Sequence, residues 1–455
     1  MDDPTRDPDG SSSAPVDEPI DPVVPLSVTD LFRRLLMQSG WLLSGASIGL
    51  ALTFVQGIIV ARLLGPSDLG VLAVIVTFVM VVGQVADSRA WESAIRYVAE
   101  FRSKGDFQRA TAMVRLSLSV DTATAFLAFV IVLVFAGLAV RVFLDDAVEP
   151  GLVRLYAVTL LVLIPIGTGS ALVRLAGRVR WLGYQSVVQS SVRLIGVIIV
   201  AVAGGGLPGV LIAYICSSLA ASVVVVAMAV KTWPELGLGR LLSSRIADLR
   251  GHRRRIGRFL AVTNASALFK LAQRNVDVLL VGAQLGTAPV GLLRVARSTT
   301  DLIGFPVGPV YTSMYPEFVH LWHADKKADL RRLAERVSGL LTIVAVLGVL
   351  VVFVLGEPLL RLTVGEQFLG ALPTMRWLAV GVGIAVATNA VHPVLLAANR
   401  AGTSLLATGF ATTVQMVVLV LLIGSFGVEA AGIAYTAFYA AWVMIAIPAA
   451  WKELR

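Results

Sequence analysis

Cysteine, charge and nucleotide-binding motifs are scarce or missing in this sequence. Its 455 residues include one cysteine, Cys216, which excludes an intramolecular disulfide and a cysteine-based metal cluster. Charged residues make up only 15% of the chain, against roughly 25% in ordinary soluble domains. The sequence has no P-loop, so we do not expect ATP to be the direct energy source. His320 and His323 have no evident third ligand, so we expect neither a metal site nor a cofactor.

Apolar residues are what the chain has in excess. They form 57% of it, and its mean hydropathy of +0.83 is typical of proteins with many membrane-spanning helices. A span of about 20 residues crosses roughly 30 Å of hydrocarbon. The sequence therefore predicts an all-α integral membrane protein with twelve transmembrane helices, near 41–61, 69–88, 114–140, 155–174, 185–203, 209–230, 258–281, 289–312, 337–356, 374–398, 402–424 and 430–450.

The ends of the chain and its middle are more polar than the spans. The first 25 residues are rich in Asp, Pro and Ser, and cannot bury enough apolar surface to fold. The stretch after them alternates Leu and Phe with Arg33 and Arg34, which favours an interfacial helix. We predict a disordered cytosolic tail (1–25), an interfacial helix (26–40), an amino-terminal six-helix lobe (41–230), a basic cytosolic linker (231–257), a carboxy-terminal six-helix lobe (258–450) and a cytosolic tail (451–455).

The basic residues are distributed unevenly between the two predicted faces of the membrane. With both termini in the cytosol, cytosolic segments hold 28 of the 38 Lys and Arg residues, and the outer segments hold five. The positive-inside rule therefore predicts this orientation in the cytoplasmic membrane. It also accounts for the net charge of +9 without a nucleic-acid partner. The basic run 252–258 is interpreted as a topology signal, with contact to acidic lipids as the alternative.

A short motif occurs twice. LGPSDLG (64–70) is matched by LGTAPVG (285–291), so that Gly65 and Gly286 are 221 residues apart. AEF and PEF, and LAGR and AANR, recur at nearly the same offset. This predicts two six-helix lobes related by a pseudo-twofold axis along the membrane normal, with both glycines as helix C-caps. The alternative is chance similarity between glycine-rich apolar segments.

Two stretches near the amino terminus resemble a known family. ARLLGPSDLGVLAVIVTFV (61–79) and IRYVAEFRSKGDFQRA (95–110) are similar to the signature of polysaccharide exporters, the Wzx-type flippases of the multidrug/oligosaccharidyl-lipid/polysaccharide (MOP) exporter superfamily. The resemblance implies a transporter, not an enzyme, that moves a lipid-linked saccharide for polysaccharide biosynthesis. Glycosyltransferases or a polymerase of the same pathway are the implied partners. ADSRAWES (86–93) departs from the family, which often has small residues there.

Charged residues within the seventh and eighth predicted spans are the main candidate site. Lys270, Arg274 and Asp277 lie on one helix face, and Arg294, Arg297 and Asp301 form a second stripe. A Lys or Arg at the bilayer centre costs roughly 2.5–3.5 kcal/mol, so the four cations cost on the order of 10–14 kcal/mol. We therefore expect them to face the bundle interior.

Two interpretations of these charges stay open. Lys270, Arg274, Arg294 and Arg297 could bind the diphosphate of a lipid-linked sugar, because guanidinium groups bind phosphate in bidentate fashion. Alternatively the charges satisfy each other, with Asp277 paired to Arg294 and Asp301 to Lys270. Both interpretations hold if the substrate diphosphate replaces the carboxylates as the partner of these cations.

The amino-terminal half carries different charges. Arg115 and Arg193 lie close enough to predicted span ends to extend into the headgroup region. Asp121 is deeper and is a candidate site for a coupling H⁺ or Na⁺. Asp87 and Arg89, in the stretch that departs from the family, are further candidates.

Three functions are compatible with the sequence. The first is a flippase that moves a polyprenyl-diphosphate-linked saccharide by alternating access around a cationic cavity, acting as a monomer among membrane lipids. The second is a cation-coupled multidrug exporter of the same superfamily, although the expected cavity is basic. The third, a membrane glycan polymerase or ligase, would need a catalytic outer loop, whereas the predicted outer connections are short.

Overall fold

The computed structural model describes residues 28–144, 148–241, 244–305 and 307–454; at 28–48, 253, 259, 261–274, 309 and 312 it describes the backbone alone. Every long element in this part of the chain is helical: α1 Val28–Ala86, α2 Ala90–Ser103, α3 Phe107–Phe143, α4 Pro150–Val162, α5 Ile164–Leu175, α6 Arg180–Ala203, α7 Gly206–Thr232, α8 Arg253–Leu285, α9 Thr287–Gly304, α10 Val307–His323, α11 Lys327–Thr363, α12 Leu372–Ala387, α13 Val391–Ala397, α14 Ala401–Phe426 and α15 Glu429–Glu453. Two short 3₁₀ helices, Ile246–His252 and Glu366–Ala371, precede α8 and α12.

Nine helical segments within the described residues are long and apolar enough to cross a membrane: Gly49–Ala86, Phe107–Phe143, Pro150–Leu175, Arg180–Ala203, Gly206–Thr232, Lys327–Thr363, Glu366–Ala397, Ala401–Phe426 and Glu429–Glu453. The prediction of an all-α, multi-pass membrane protein is confirmed. The number differs from twelve for three reasons. Gly49–Ala86 joins the described part of the first predicted span to the second, so the two count as one segment. The eighth predicted span carries three charges in α9 and is therefore not counted as apolar. The side chains of much of the seventh predicted span lie outside the described part.

The predicted terminal segments are covered in part. Residues 28–40 of the predicted interfacial helix are helical and continue without a break into the first span. The tail 1–25 and Arg455 of the carboxy-terminal tail lie outside the described residues.

The duplicated glycines have the same backbone conformation. Gly65 has φ 70° and ψ 179°, and interrupts α1; Gly286 has φ 81° and ψ −171°, and separates α8 from α9. A positive φ costs glycine little because it has no Cβ, so this residue type can end one helix and start the next. The prediction that both glycines end helices is confirmed.

Three more pairs of left-handed residues repeat with nearly the same spacing. They are Gly105 and Asp325, Gly177 and Asn399, and Gly204 and Gly427, which are 220, 222 and 223 residues apart. Asp and Asn are the non-glycine residues that tolerate this conformation best. The repeat seen in short sequence motifs is therefore also present in the helix-ending turns.

The two copies of the glycine motif pack directly against each other. A Cβ on Gly70 would lie 1.8 Å from the carbonyl oxygen of Thr287, and a Cβ on Gly291 would lie 2.0 Å from that of Pro66. The Ser67 and Thr287 hydroxyls are 3.2 Å apart. Because the contact is reciprocal, each copy needs its own glycine so that the two backbones can meet.

Three predicted spans are each built from two helices. The fourth breaks at Leu163, beside Pro165, and the tenth breaks at residues 388–390, just before the His392–Pro393 pair. The eighth breaks after Gly304, next to Phe305. Proline favours such breaks, since it removes a backbone donor and clashes with the preceding turn.

The basic linker is folded against the amino-terminal half. Its Leu236, Leu249 and Ile256 are buried with Tyr97 and Phe101 of α2 in a separate apolar cluster. We call the side of the bundle that carries this cluster the linker end, and the opposite side, with Gly65 and Gly286, the turn end. The linker is therefore packed on the amino-terminal half through its apolar residues.

Candidate functional site

Asp277 and Arg297 form a buried ion pair between α8 and α9. The Asp277 side chain is 1% exposed and that of Arg297 is 16% exposed. Arg297 donates to both carboxylate oxygens, through Nη2 to Oδ2 and through Nη1 to Oδ1 at 3.4 Å, and Asp277 Oδ1 also accepts from the Val278 amide. The expected pairing of Asp277 with Arg294 is wrong, because the rotation of α9 points Arg297 at α8.

Arg294 and Asp301 lie on the exposed face of α9. Arg294 and Arg193 are both close enough to the Tyr156 hydroxyl to interact with it electrostatically, although they come from opposite halves of the chain. Neither a carboxylate nor another acceptor is recorded for Arg294 among the described side chains. The Lys270 and Arg274 side chains lie outside the described part, so their predicted role and the pairing of Lys270 with Asp301 stay predictions.

Tyrosines from α15 complete the charged cluster around Arg297. Tyr435 is within electrostatic range of Arg297 and Asp301, and its ring lies 5.2 Å from that of Tyr439. Two of the predicted site residues are therefore joined in a salt bridge, and a third, Asp301, lies near them. Arg294 is oriented toward the other half of the molecule.

A cavity of about 470 Å³ lies in the amino-terminal half, between helices α1 to α7. We call it the amino-terminal pocket. Its polar lining includes Gln84, Asp87, Asp121, Gln189 and Arg193, together with Trp91 and Tyr156.

Asp121 is buried beside the pocket without a basic partner. It is 8% exposed and accepts a hydrogen bond from Thr168 Oγ1 at 2.6 Å. The Thr168 hydroxyl is also 2.7 Å from that of Ser117. In the described part of the chain no Lys, Arg or His forms a salt bridge with Asp121. This carboxylate can therefore hold a proton or a small cation.

Arg193 and Arg115 occupy different positions from each other. Arg193 lies near the middle of α6, where its guanidinium is 4.6 Å from the Tyr214 ring centre and its Nε donates to Ser217 Oγ at 3.1 Å. The sequence indicated that the Arg193 side chain extends into the headgroup region. In the structure it lines the pocket instead. Arg115 donates to the Ser244 carbonyl of the linker, which is the position expected near a span end.

The stretch ADSRAWES forms a fixed turn at the edge of the pocket. Asp87 Oδ1 accepts from the Arg89 amide at 2.8 Å, and Arg89 has a left-handed φ of 51°. The Arg89 guanidinium pairs with Glu92 and lies 5.8 Å from the Trp91 ring centre. This geometry places Asp87 and Trp91 in the pocket lining. Arg89 is not in the lining; its side chain stabilises the turn through Glu92 and Trp91.

Sequence reasoning missed the uncharged members of the pocket. Gln84 and Gln189 are polar amides within apolar spans, and their presence there was a signal that could have found them, because polar side chains are rare in membrane helices and mark functional sites. Trp91 and Tyr156 gave no comparable signal, since aromatic residues are common in membrane helices.

Apolar helices that bury an ion pair, repeat their own turns and enclose a polar pocket define a membrane transporter. The chain belongs to the family described as polysaccharide biosynthesis protein, whose model matches residues 35–322. This membership and the structural neighbours confirm the resemblance to polysaccharide exporters and flippases of the MOP superfamily. The solved structures that share this fold include transporters and a flippase.

Individual relatives agree with this assignment. The chain is 23% identical over 346 residues to the inner membrane protein YghQ of Escherichia coli (strain K12), covering 75% of this chain and 95% of that protein. The fold is similar to that of an inward-facing multidrug resistance MATE family transporter of the MOP superfamily (TM-score 0.73, 13% identity, 89% of this chain and 94% of the other). It is also similar to that of the lipid II flippase MurJ in an inward closed conformation (TM-score 0.68, 12% identity, 91% and 89%).

Proposed function

We propose that the protein flips a polyprenyl-diphosphate-linked saccharide across the cytoplasmic membrane for cell-surface polysaccharide synthesis. The observation that carries this proposal is Arg294, an exposed cation of α9 that interacts electrostatically with the Tyr156 hydroxyl, as Arg193 of the other half does, and has no acceptor among the described side chains. A cation within a predicted span marks a candidate functional site. A diphosphate supplies several acceptor oxygens for guanidinium groups.

We also propose twelve spans in two six-helix lobes, with both termini in the cytosol. The repeated turns and the reciprocal contact of Gly70 and Gly291 support this arrangement. In the proposed cycle the lobes rock about an axis between the turn end and the linker end, so that the diphosphate meets Arg294 and Arg193 first from one side and then from the other. Lys270 and Arg274 would extend the same cationic surface, and the lipid tail would stay in the bilayer.

Asp121 is the proposed coupling site for H⁺ or Na⁺. It is the buried carboxylate of the amino-terminal pocket, and Thr168 and Ser117 hold it in place. Binding a cation there would neutralise a charge that has no basic partner among the described side chains.

The test is flipping of a fluorescent polyprenyl-diphosphate saccharide in liposomes. We expect Arg294→Gln and Arg193→Gln each to slow flipping by tenfold or more, since a charge-assisted hydrogen bond contributes roughly 1.5–3 kcal/mol. Arg332→Gln is the matched control, because Arg332 is exposed and only loosely paired with Asp329. Normal flipping by a protein that lacks both Arg294 and Arg193 contradicts the proposed site.

A cation-coupled drug exporter is the second candidate. The two carboxylates of the pocket, Asp87 and Asp121, favour it, since they outnumber Arg193 there. Deleting the gene should then sensitise cells to cationic drugs, and unchanged susceptibility removes this candidate.

A further inference from the structure

The amino-terminal pocket has the size and lining of a site for a polar, ring-shaped ligand. Its volume of about 470 Å³ lies within the roughly 300–1,000 Å³ range of small-molecule sites. Gln84 and Gln189 each offer both a donor and an acceptor, and Asp87 offers two acceptor oxygens. Sugar hydroxyls need both kinds of partner on neighbouring carbons, whereas a lipid tail needs neither.

Trp91 adds an aromatic surface beside these polar groups. The turn that carries it is held by Asp87, by the Arg89–Glu92 pair and by the Arg89 guanidinium over the ring. Its Cβ lies 3.5 Å from the position that a Cβ on Gly167 would occupy, so the backbones approach closely here. A rigid ring in a polar pocket can pack against the apolar C–H face of a pyranose while the amides bind its hydroxyls.

The pocket adjoins the proposed diphosphate site through Arg193. Tyr156 and Arg193 line the pocket, and the Tyr156 hydroxyl is within electrostatic range of both Arg193 and Arg294. In a lipid-linked saccharide the first sugar is bonded directly to the diphosphate. A sugar subsite must therefore adjoin the cations, as this pocket does.

We infer that the amino-terminal pocket is the saccharide subsite, where Gln84, Gln189 and Trp91 bind the sugar while Arg193 and Arg294 bind the diphosphate. This inference rests on the proposed function. It also gives a role to the stretch ADSRAWES, which departs from the family and supplies Asp87 and Trp91: it selects the saccharide.

The experiment compares two probes on the purified full-length protein, by native mass spectrometry and by flipping in liposomes. One probe is bare polyprenyl diphosphate; the other is the lipid-linked saccharide pool extracted from the producing cell. Ala125→Phe fills the pocket, and Ala123→Phe is its matched control, since Ala123 is an exposed residue of the same helix outside the lining.

We expect Ala125→Phe to weaken binding of the saccharide-bearing lipid about tenfold or more, while bare polyprenyl diphosphate binds as before. Gln189→Leu should have the same selective effect at lower magnitude. Gln367→Leu, at an exposed glutamine of the 3₁₀ helix Glu366–Ala371 and outside the lining, should have none. Retained binding of the bare lipid shows that each variant is folded.

Three outcomes overturn the inference. If Ala125→Phe leaves the preference for the saccharide-bearing lipid unchanged, the pocket is not the sugar subsite, although the proposed function stands. If an organic cation such as ethidium competes for the pocket and the saccharide does not, its ligand is a cationic drug. If the wild-type protein binds neither lipid, the proposed function and the inference both fail.

Discussion

At the scale of single residues, Asp277 and Arg297 form a salt bridge that is more buried than the others between described side chains. Asp277→Ala leaves the Arg297 guanidinium nearly buried with its bidentate acceptor removed. We expect the free energy of unfolding to fall by about 3–5 kcal/mol, because Arg297 stays largely buried without its bidentate acceptor. Thermal unfolding in detergent measures the effect, with Asp329→Ala, which breaks an exposed 3.8 Å pair, as the control.

The double variant Asp277→Leu/Arg297→Met separates the pair's own contribution from the cost of an orphaned charge. Since it removes both charges and keeps apolar volume, it should recover most of the lost stability. A double variant as unstable as Asp277→Ala contradicts this account, and would show that the pair fixes the packing of α8 on α9.

Asp121 is tested at the same scale by transport. Asp121→Asn keeps an acceptor for Thr168 Oγ1 but cannot bind a proton. We expect it to abolish the acceleration of flipping by an imposed H⁺ or Na⁺ gradient, while downhill flipping continues. Imposing the two gradients separately identifies the ion, and Asp68→Asn, an exposed carboxylate at the turn end, is the control. Unaltered gradient dependence in Asp121→Asn contradicts the coupling role.

At the scale of elements, the contact between the two glycine motifs determines how closely the helices after them approach. Gly70→Ala or Gly291→Ala places a Cβ within about 2 Å of a backbone carbonyl oxygen, which cannot rotate away. Overpacking of this kind costs about 1–3 kcal/mol or more. Gly137→Ala is the control, because no atom lies within 4 Å of its would-be Cβ. Equal thermal stability of all three variants is the contrary result.

The docking of the linker on α2 should depend on acid. Lys104 and Arg255 hydrogen-bond to the Glu100 carboxylate and hold its pKa below its usual value of 4.5. The stabilisation is therefore fully present above the unfolded-state pKa, and is lost as pH falls through the lower pKa of the folded state. The protection factors of residues 246–256, corrected for the intrinsic exchange rate at each pH, should fall on acidification, and should fall less in Glu100→Gln, where docking is already weaker at neutral pH. An identical pH profile in both proteins would argue against the contact.

Much of the element order could be predicted from the sequence, and most of the side-chain partners could not. Gly65, Gly286 and Pro165 interrupt the chain by local stereochemistry, so the turns and one bend were evident. The partner of Asp277 was not, because Arg294 and Arg297 differ by only about 60° around α9 and the rotation of one helix against the next decides between them. The pocket was missed since seven helices and a turn build it, and hydropathy records none of their contacts.

At the scale of the whole molecule, the contacts of the turn end close that end of the bundle. Arg62, just before the first glycine motif, donates to the Leu362 and Thr363 carbonyls at the carboxyl end of α11. In the other half, a Cβ on Gly282 would lie 2.9 Å from the Phe143 carbonyl at the end of α3. In each half, the end of the first predicted span therefore contacts the end of the third predicted span of the other half. One contact is made by the Arg62 side chain and the other by the backbone at Gly282.

A substitution can remove the Arg62 contact without creating a steric clash, whereas any side chain at Gly282 would clash. Arg62 satisfies carbonyls that α11 leaves free at its carboxyl end, and it does so across the boundary between the halves. If the halves rock as proposed, Arg62→Ala removes a contact made only while the turn end is closed. The population should therefore shift toward a state open at that end.

Double electron–electron resonance measures this shift as a change in the distance between pairs of spin labels. Labelling is simple because Cys216 is the one cysteine of the sequence, so Cys216→Ser supplies a cysteine-free background. Labels at the exposed Val142 and Leu355 report on the turn end, and labels at Val179 and Leu406 on the linker end. We expect Arg62→Ala to lengthen the first distance and shorten the second. Arg141→Ala, which removes an exposed arginine near the end of α3, should leave both unchanged. A lengthening at the turn end without a shortening at the linker end would mean that the turn end frays locally, because rocking about an axis between the two ends moves them in opposite directions.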